Sequence, residues 1–166
     1  MQHRASTNRA FTLPEVLMAS AILAFAVAAI SYAVSTGQAQ THYALHELRA
    51  ISLTEALMEE IVAYPYADPE GATAAGADAG ESSRASFDNS DDYHGYSESM
   101  GNIRDYDGDA YPTAYSRFRR SVTAVHETLN FAAVGGNMTG LTVTVTVTDD
   151  KGRTWQAMRF IPEPLE

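Results

Sequence analysis

From Val16 to Val34 the chain carries no charged residue, and that run leaves few folds open. At about 1.5 Å per residue, a helix over this stretch spans most of a ~30 Å hydrocarbon core. Ahead of it, residues 1–10 are polar and carry Arg4 and Arg9 with no acidic residue. The positive-inside bias then holds the N-terminus in the cytoplasm and sends everything after Val34 across the membrane. Small residues at Ala26, Ala28 and Ala29 superficially offer an ordinary secretory cleavage site. Glu15 separates the readings, because it stands at the head of the apolar run. A carboxylate in lipid is costly unless paired, so it calls for a cationic partner.

Beyond the apolar run the helical period continues. Ala50, Leu53, Leu57, Ile61 and Tyr64 recur at spacings of three and four, with Glu47, Arg49, Glu55 and Glu59 mostly off that stripe. Pro65 and Pro69 end the pattern, which predicts one helix over residues 11–64 with a transmembrane segment at 16–34 and an amphipathic second half. The C-terminal part changes period. Residues 118–125 have strand character, 141–148 alternate apolar residues with threonine, and 154–161 follow a turn at Asp149-Asp150-Lys151-Gly152. A further short strand is expected at 129–134. Leu141, Val143, Val145 and Val147 are expected to lie on the helix, with the threonines outward. The predicted fold class is α+β: a long N-terminal helix packed on a C-terminal antiparallel sheet at 118–166, with an acidic loop region at 65–117 between them.

Composition narrows the function. The formal charge is -10, and losing Arg4 and Arg9 with a leader would make it more negative, which argues against a nucleic-acid partner. With no cysteine, a disulfide framework, thiol catalysis and a cysteine-ligated zinc site are excluded. Within the loop region, Asp105, Asp107 and Asp109 alternate as the first ligands of a calcium loop do, and hard oxygen donors in an exported compartment suit calcium. The rest of that motif is missing: the glycine is Gly108, and Ser116 occupies the place of the final glutamate. An acidic solvated turn accounts for the same residues. Asp92 and His94 offer an acid and a base, but no nucleophile motif or oxyanion loop accompanies them, so the chain is not expected to be an enzyme. Tyr93, His94 and Tyr96 are expected to pack the loop on the sheet. His42 and His46 read as a solvated helix face, and Arg117, Arg119 and Arg120 as an exposed strand edge.

Phe11-Thr12-Leu13-Pro14-Glu15-Val16-Leu17, after the basic leader, resembles the prepilin-type cleavage and methylation signal of type IV pilins and type II secretion pseudopilins. The resemblance implies a leader peptide at 1–10, cut by a prepilin peptidase between Ala10 and Phe11, and N-methylation of Phe11. It implies that Glu15 pairs with the amine of Phe11 on a neighbouring subunit and so directs assembly. Ala10 stands where the family usually has glycine. Pro14 replaces an aliphatic residue, harmlessly, since first-turn N–H groups have no intrahelical partner. Around Tyr32 there is no proline of the kind found in major subunits, which points to a minor one. The implied setting is the bacterial inner membrane, single-pass with an exported head, then a periplasmic or cell-surface filament. The implied partners are other pilin or pseudopilin subunits, the prepilin peptidase, the inner-membrane assembly platform, and lipid before assembly. No cofactor is required by the resemblance, and calcium is the candidate ion. The alternative is a membrane-anchored, calcium-dependent binding or adhesion module that does not polymerise.

Overall fold

The computed structural model describes residues 11–69, 71, 74–132 and 135–164. The leader expected at residues 1–10, including Ala10, lies outside them, as do residues 133 and 134 of the expected short strand. Helix α1 runs over Leu13–Ala63, and the chain divides into two units at Leu45/His46.

In the first unit the helix starts where the sequence places it. The amide of Val16 donates to the Thr12 carbonyl at 3.1 Å, and Pro14 sits in the first turn, where its missing N–H leaves no bond unmade. Several hydroxyls in this stretch are turned onto their own backbone: Ser20 Oγ donates to the Val16 carbonyl at 2.9 Å, and Ser35 and Thr36 do likewise to Ser31 and Tyr32. Every described residue of this unit is exposed. Ile22 is 68% exposed and Phe25 is 78% exposed, and each such side chain leaves roughly 1.5–3 kcal/mol of burial unrealised in water. The helix is long and apolar enough to cross a membrane.

In the second unit, the last turns of α1 lie on a sheet. Ala50, Leu53, Leu57 and Ile61, four of the residues in the stripe read from the three-and-four spacing, are buried, as are Thr54 and Met58 beside them, while Tyr64 is half-buried just past the helix end. Four strands form an antiparallel meander in the order β1 (Ser97–Glu98), β2 (Phe118–Phe131), β3 (Gly136–Asp149) and β4 (Thr154–Pro162). Leu141, Val143, Val145 and Val147 are fully buried and the threonines between them take the other face. Leu57, Met58 and Ile61 pack with Tyr93, Val122, Ala124, Leu141, Val143 and Val145 in one cluster. A second cluster joins Ala50 and Leu53 to Ile103, Phe118 and Val147.

The separate strand expected from residue 129 is instead the far end of β2, which pairs without a break from Phe118↔Asp149 to Phe131↔Gly136. The expected turn at 149–152 is closed by Asp149. Its Oδ1 accepts from the amides of Lys151 and Arg153 at 3.0 and 2.8 Å, and Gly152 supplies the φ of +79° that the turn requires. Gly140 answers another need. A Cβ there would lie 2.3 Å from the Ile161 carbonyl oxygen and 2.6 Å from the Phe160 ring, so only glycine lets β4 reach this register.

Candidate functional site

Two regions carry chemistry, the head of α1 and the acidic segment between Asp68 and Tyr111. At the helix head, Glu15 and Phe11 are exposed. The Thr12 amide lies 3.5 Å from Glu15 Oε2, a long contact of the kind a glutamate makes at the third position of a helix. Glu15 therefore leaves most of its hydrogen-bonding capacity unused, at the N-terminal end of an apolar face.

The acidic segment is locked onto the second unit by groups far apart in sequence. Ser90 Oγ donates to the Ile61 carbonyl at 3.0 Å and lies 3.1 Å from that of Tyr64, which satisfies acceptors left over where Pro65 ends the helix. Asn89 Oδ1 accepts from the amides of Asp91 and Asp92 at 2.8 and 3.1 Å, folding this stretch into an Asx turn. His126 Nε2 lies 2.9 Å from Asp91 Oδ2. Tyr93 is fully buried in the core, and His94 Nδ1 lies 2.6 Å from the Ala124 carbonyl oxygen. Tyr93, His94 and Tyr96 thus pack the loop on the sheet as read from the sequence. Asp92 and His94 form no acid–base pair. Asp92 Oδ2 accepts from the amides of Asp88 and Asn89 at 2.9 and 3.0 Å, while His94 is held by β2.

Beneath the loop lies a network of buried charges. Arg84 donates through Nε to Glu60 Oε1 at 2.5 Å and through Nη2 to Glu60 Oε2. Tyr93 Oη donates to Glu60 Oε1 at 2.7 Å. Arg120, 2% exposed, donates through Nε to Glu98 and through Nη2 to the Arg104 carbonyl, and Glu98 Oε1 accepts from the Arg104 amide at 2.9 Å. Arg84 meets the Glu60 carboxylate with two nitrogens of its fork, whereas Arg120 gives one nitrogen to Glu98 and the rest to backbone carbonyls. Burial pushes the Tyr93 hydroxyl up, and Glu60 beside it pushes further. For Arg84 burial acts the other way, but the Glu60 carboxylate outweighs it and the guanidinium is raised.

Two expectations are corrected here. Arg120 does not lie on an exposed edge with Arg117 and Arg119. It alternates inward with Phe118, Val122 and Ala124 because the side-chain period of a strand is two. His46 does not belong to a solvated face either. Its Nε2 lies 3.0 Å from the fully buried carboxylate of Asp149, and its ring sits 4.5 Å from that of Phe118. Burial alone would raise Asp149, but the bonds from Arg153, His46 and Lys151 hold it well below the usual carboxylate range.

Asp105, Asp107 and Asp109 form a tight turn. Asp105 Oδ1 accepts from the Asp109 amide at 2.8 Å, the Asp105 amide donates to the Asp109 carbonyl at 2.9 Å, and Gly108 takes φ +86°. Among the described residues, the carboxylates that do converge are those of Glu81, Asp88 and Asp92, with ligand oxygens within 4.8 Å of one another. Asp88 Oδ1 is occluded from solvent with no hydrogen-bond partner. Desolvation and the neighbouring charges of Asp92 and Asp68 raise Asp88, and Asp78 and Glu81 are also raised. Three carboxylates are a donor set suited to a hard divalent cation. Separation in sequence hid this group. Its members come together only through the turn at 88–92 and the Asp78–Glu81 contact, in which the Asp78 amide donates to Glu81 Oε2 at 2.9 Å.

No protein family, curated protein or solved structure matches this chain in the comparisons made.

The buried network yields a stability prediction. Glu98→Gln leaves the Arg120 guanidinium without its compensating charge, and urea unfolding of the full chain in detergent is expected to show a loss of about 3–5 kcal/mol. A loss below about 1 kcal/mol would mean the pair contributes no more than a surface ion pair does.

Proposed function

We propose that this chain is a minor subunit of a type IV pilus or type II secretion pseudopilus, processed by a prepilin peptidase and polymerised through its N-terminal helix. The observation that carries the reading is the conjunction at one end of the chain: an exposed apolar face on α1, long enough to cross a membrane, with Glu15 at its head directly after Phe11-Thr12-Leu13-Pro14. Such a face has two stable surroundings, lipid and other helices, and a subunit that waits in the bilayer and then joins a filament uses both in turn. The function is assembly rather than turnover. The Phe11 amine, freed by cleavage after Ala10 and methylated, pairs with Glu15 of a neighbour. A charge pair is tolerated in low dielectric where a lone carboxylate is not. Repetition of that contact is heterologous and does not close, so it produces a fibre. The head is carried on the exported side of the inner membrane and faces outward in the filament.

Because the chain lacks cysteine, a single cysteine introduced at Leu17 reports on helix proximity alone. In cells carrying the assembly platform, oxidation is expected to give a ladder of cross-linked subunits. Glu15→Ala is expected to reduce it at least about thirtyfold, the low end for truncating one member of a desolvated charge pair. A ladder indifferent to Glu15 would contradict the reading.

A second reading is favoured by the occluded Oδ1 of Asp88. In it, Glu81, Asp88 and Asp92 hold calcium, and the head is a membrane-anchored binding module that does not polymerise. The raised carboxylates fix the sign of the pH dependence. Without a cation their ionisation opposes folding at neutral pH, and that cost is relieved as pH falls through their raised folded values. Calcium is therefore expected to raise the melting temperature over an EGTA control most at neutral pH. The gain should shrink on acidification and vanish in Asp88→Asn. A melting temperature unmoved by calcium at pH 7 would dispose of this reading.

A further inference from the structure

We infer that the head has a socket for a single basic side chain, lysine or arginine, presented by a partner protein. A cavity of about 540 Å³ lies between the last turns of α1 and the loop that ends at Tyr111. Ala56, Ala63 and Pro65 supply apolar lining, and Tyr64, Tyr106 and Tyr111 supply aromatic rings, that of Tyr111 already lying 5.7 Å from the Arg120 guanidinium. Tyr106 is 72% exposed.

The charges lining the cavity do not balance. Arg84 is taken by Glu60, and Arg120 by Glu98. Arg104, on the adjoining loop, turns its guanidinium to the Gly108 carbonyl at 2.8 Å, and it does not line the cavity. What remains facing the space is acidic. Among the described residues Glu59 makes no ion pair or side-chain hydrogen bond, and the carboxylate of Asp105 accepts only the Asp109 amide, through Oδ1.

Two carboxylates without counter-ions beside two tyrosine faces select a cation. A guanidinium or ammonium gains from both the charge and the ring quadrupole, while its alkyl stem covers the apolar wall. An acidic or neutral polar side chain would gain from neither. The arginines do not serve an anionic ligand, because their donors are already taken inside the head: Arg84 by Glu60 and the Arg104 carbonyl, Arg120 by Glu98 and the carbonyls of Arg104 and Leu53. The partner's contact residue is therefore basic, complementing a chain whose formal charge is -10. This socket is independent of the helix face, and its occupancy does not depend on whether the chain polymerises.

The test uses the full chain in detergent micelles with isotope-labelled tyrosine, titrated with a short Gly-Ser peptide carrying one central arginine and with the same peptide carrying glutamine. The arginine peptide is expected to shift the Tyr64 and Tyr106 ring signals saturably, at least about tenfold more tightly than the glutamine peptide. Tyr106→Ala and Glu59→Gln, both at exposed positions, should each weaken binding several-fold with an unchanged circular dichroism spectrum. Met158→Ala, on β4, should not. Equal response to the two peptides, no saturable shift, or full binding by both socket variants would overturn the assignment.

Discussion

An α-helix satisfies its own backbone, so its side chains alone decide which solvent it tolerates. That constraint governs the whole chain. Helix α1 keeps one backbone pattern over Leu13–Ala63, but the chemistry on its surface changes along it. From Val16 to Val34 the side chains are apolar or small apart from Tyr32, and the Ser20 hydroxyl bonds back to the helix, which leaves little for water to solvate. From Ala50 to Ile61 a single stripe is buried and the remaining positions are polar or exposed. The first stretch requires lipid or other helices, and the second requires the sheet beneath it.

The sheet's demands shape the rest of the second unit. A meander with one buried face needs only short turns to form, but the segment that connects the helix to it is acidic and poor in regular structure. Its attachment is polar instead. Ser90 closes the end of the helix, Asp91 meets His126, and the Glu60–Arg84 and Glu98–Arg120 pairs hold the loop from below. Buried pairs of this kind add little net stability over an apolar replacement, but they strongly penalise any arrangement that separates them. The loop's position is thus specified by charge where it lacks a hydrophobic stripe to specify it. Two groups of carboxylates remain without a cationic partner in this region, Glu59 and Asp105 at the cavity beside α1 and Glu81, Asp88 and Asp92 where the loop turns back.

What was legible in the sequence was what has a period. Leu53, Leu57 and Ile61 declared a helix face and Val143, Val145 and Val147 a sheet face, because burial on one side forces a repeat of 3.6 or 2. The turn at Asp149 was legible because the Asp-Asp-Lys-Gly composition carries its own backbone preferences. Arg120 was misread although its alternation with Phe118 and Val122 was visible: three nearby arginines suggest a solvated edge, and the compensating Glu98 lies 22 positions away. His46 was misread for the same reason, its partner Asp149 being 103 positions distant. The carboxylate group at Glu81, Asp88 and Asp92 has no sequence period, whereas Asp105, Asp107 and Asp109 have a ligand-like spacing and lie in a closed turn.

The central claim is that the N-terminal helix is a prepilin signal put to use, and the most direct measurement is the mass of the N-terminal peptide of the protein taken from membranes of cells that carry a prepilin peptidase. The account predicts a chain that begins at Phe11 with a methylated amine. An intact Met1, or a cut near Ala29, would contradict it and leave a simple membrane anchor or a secreted acidic head in its place.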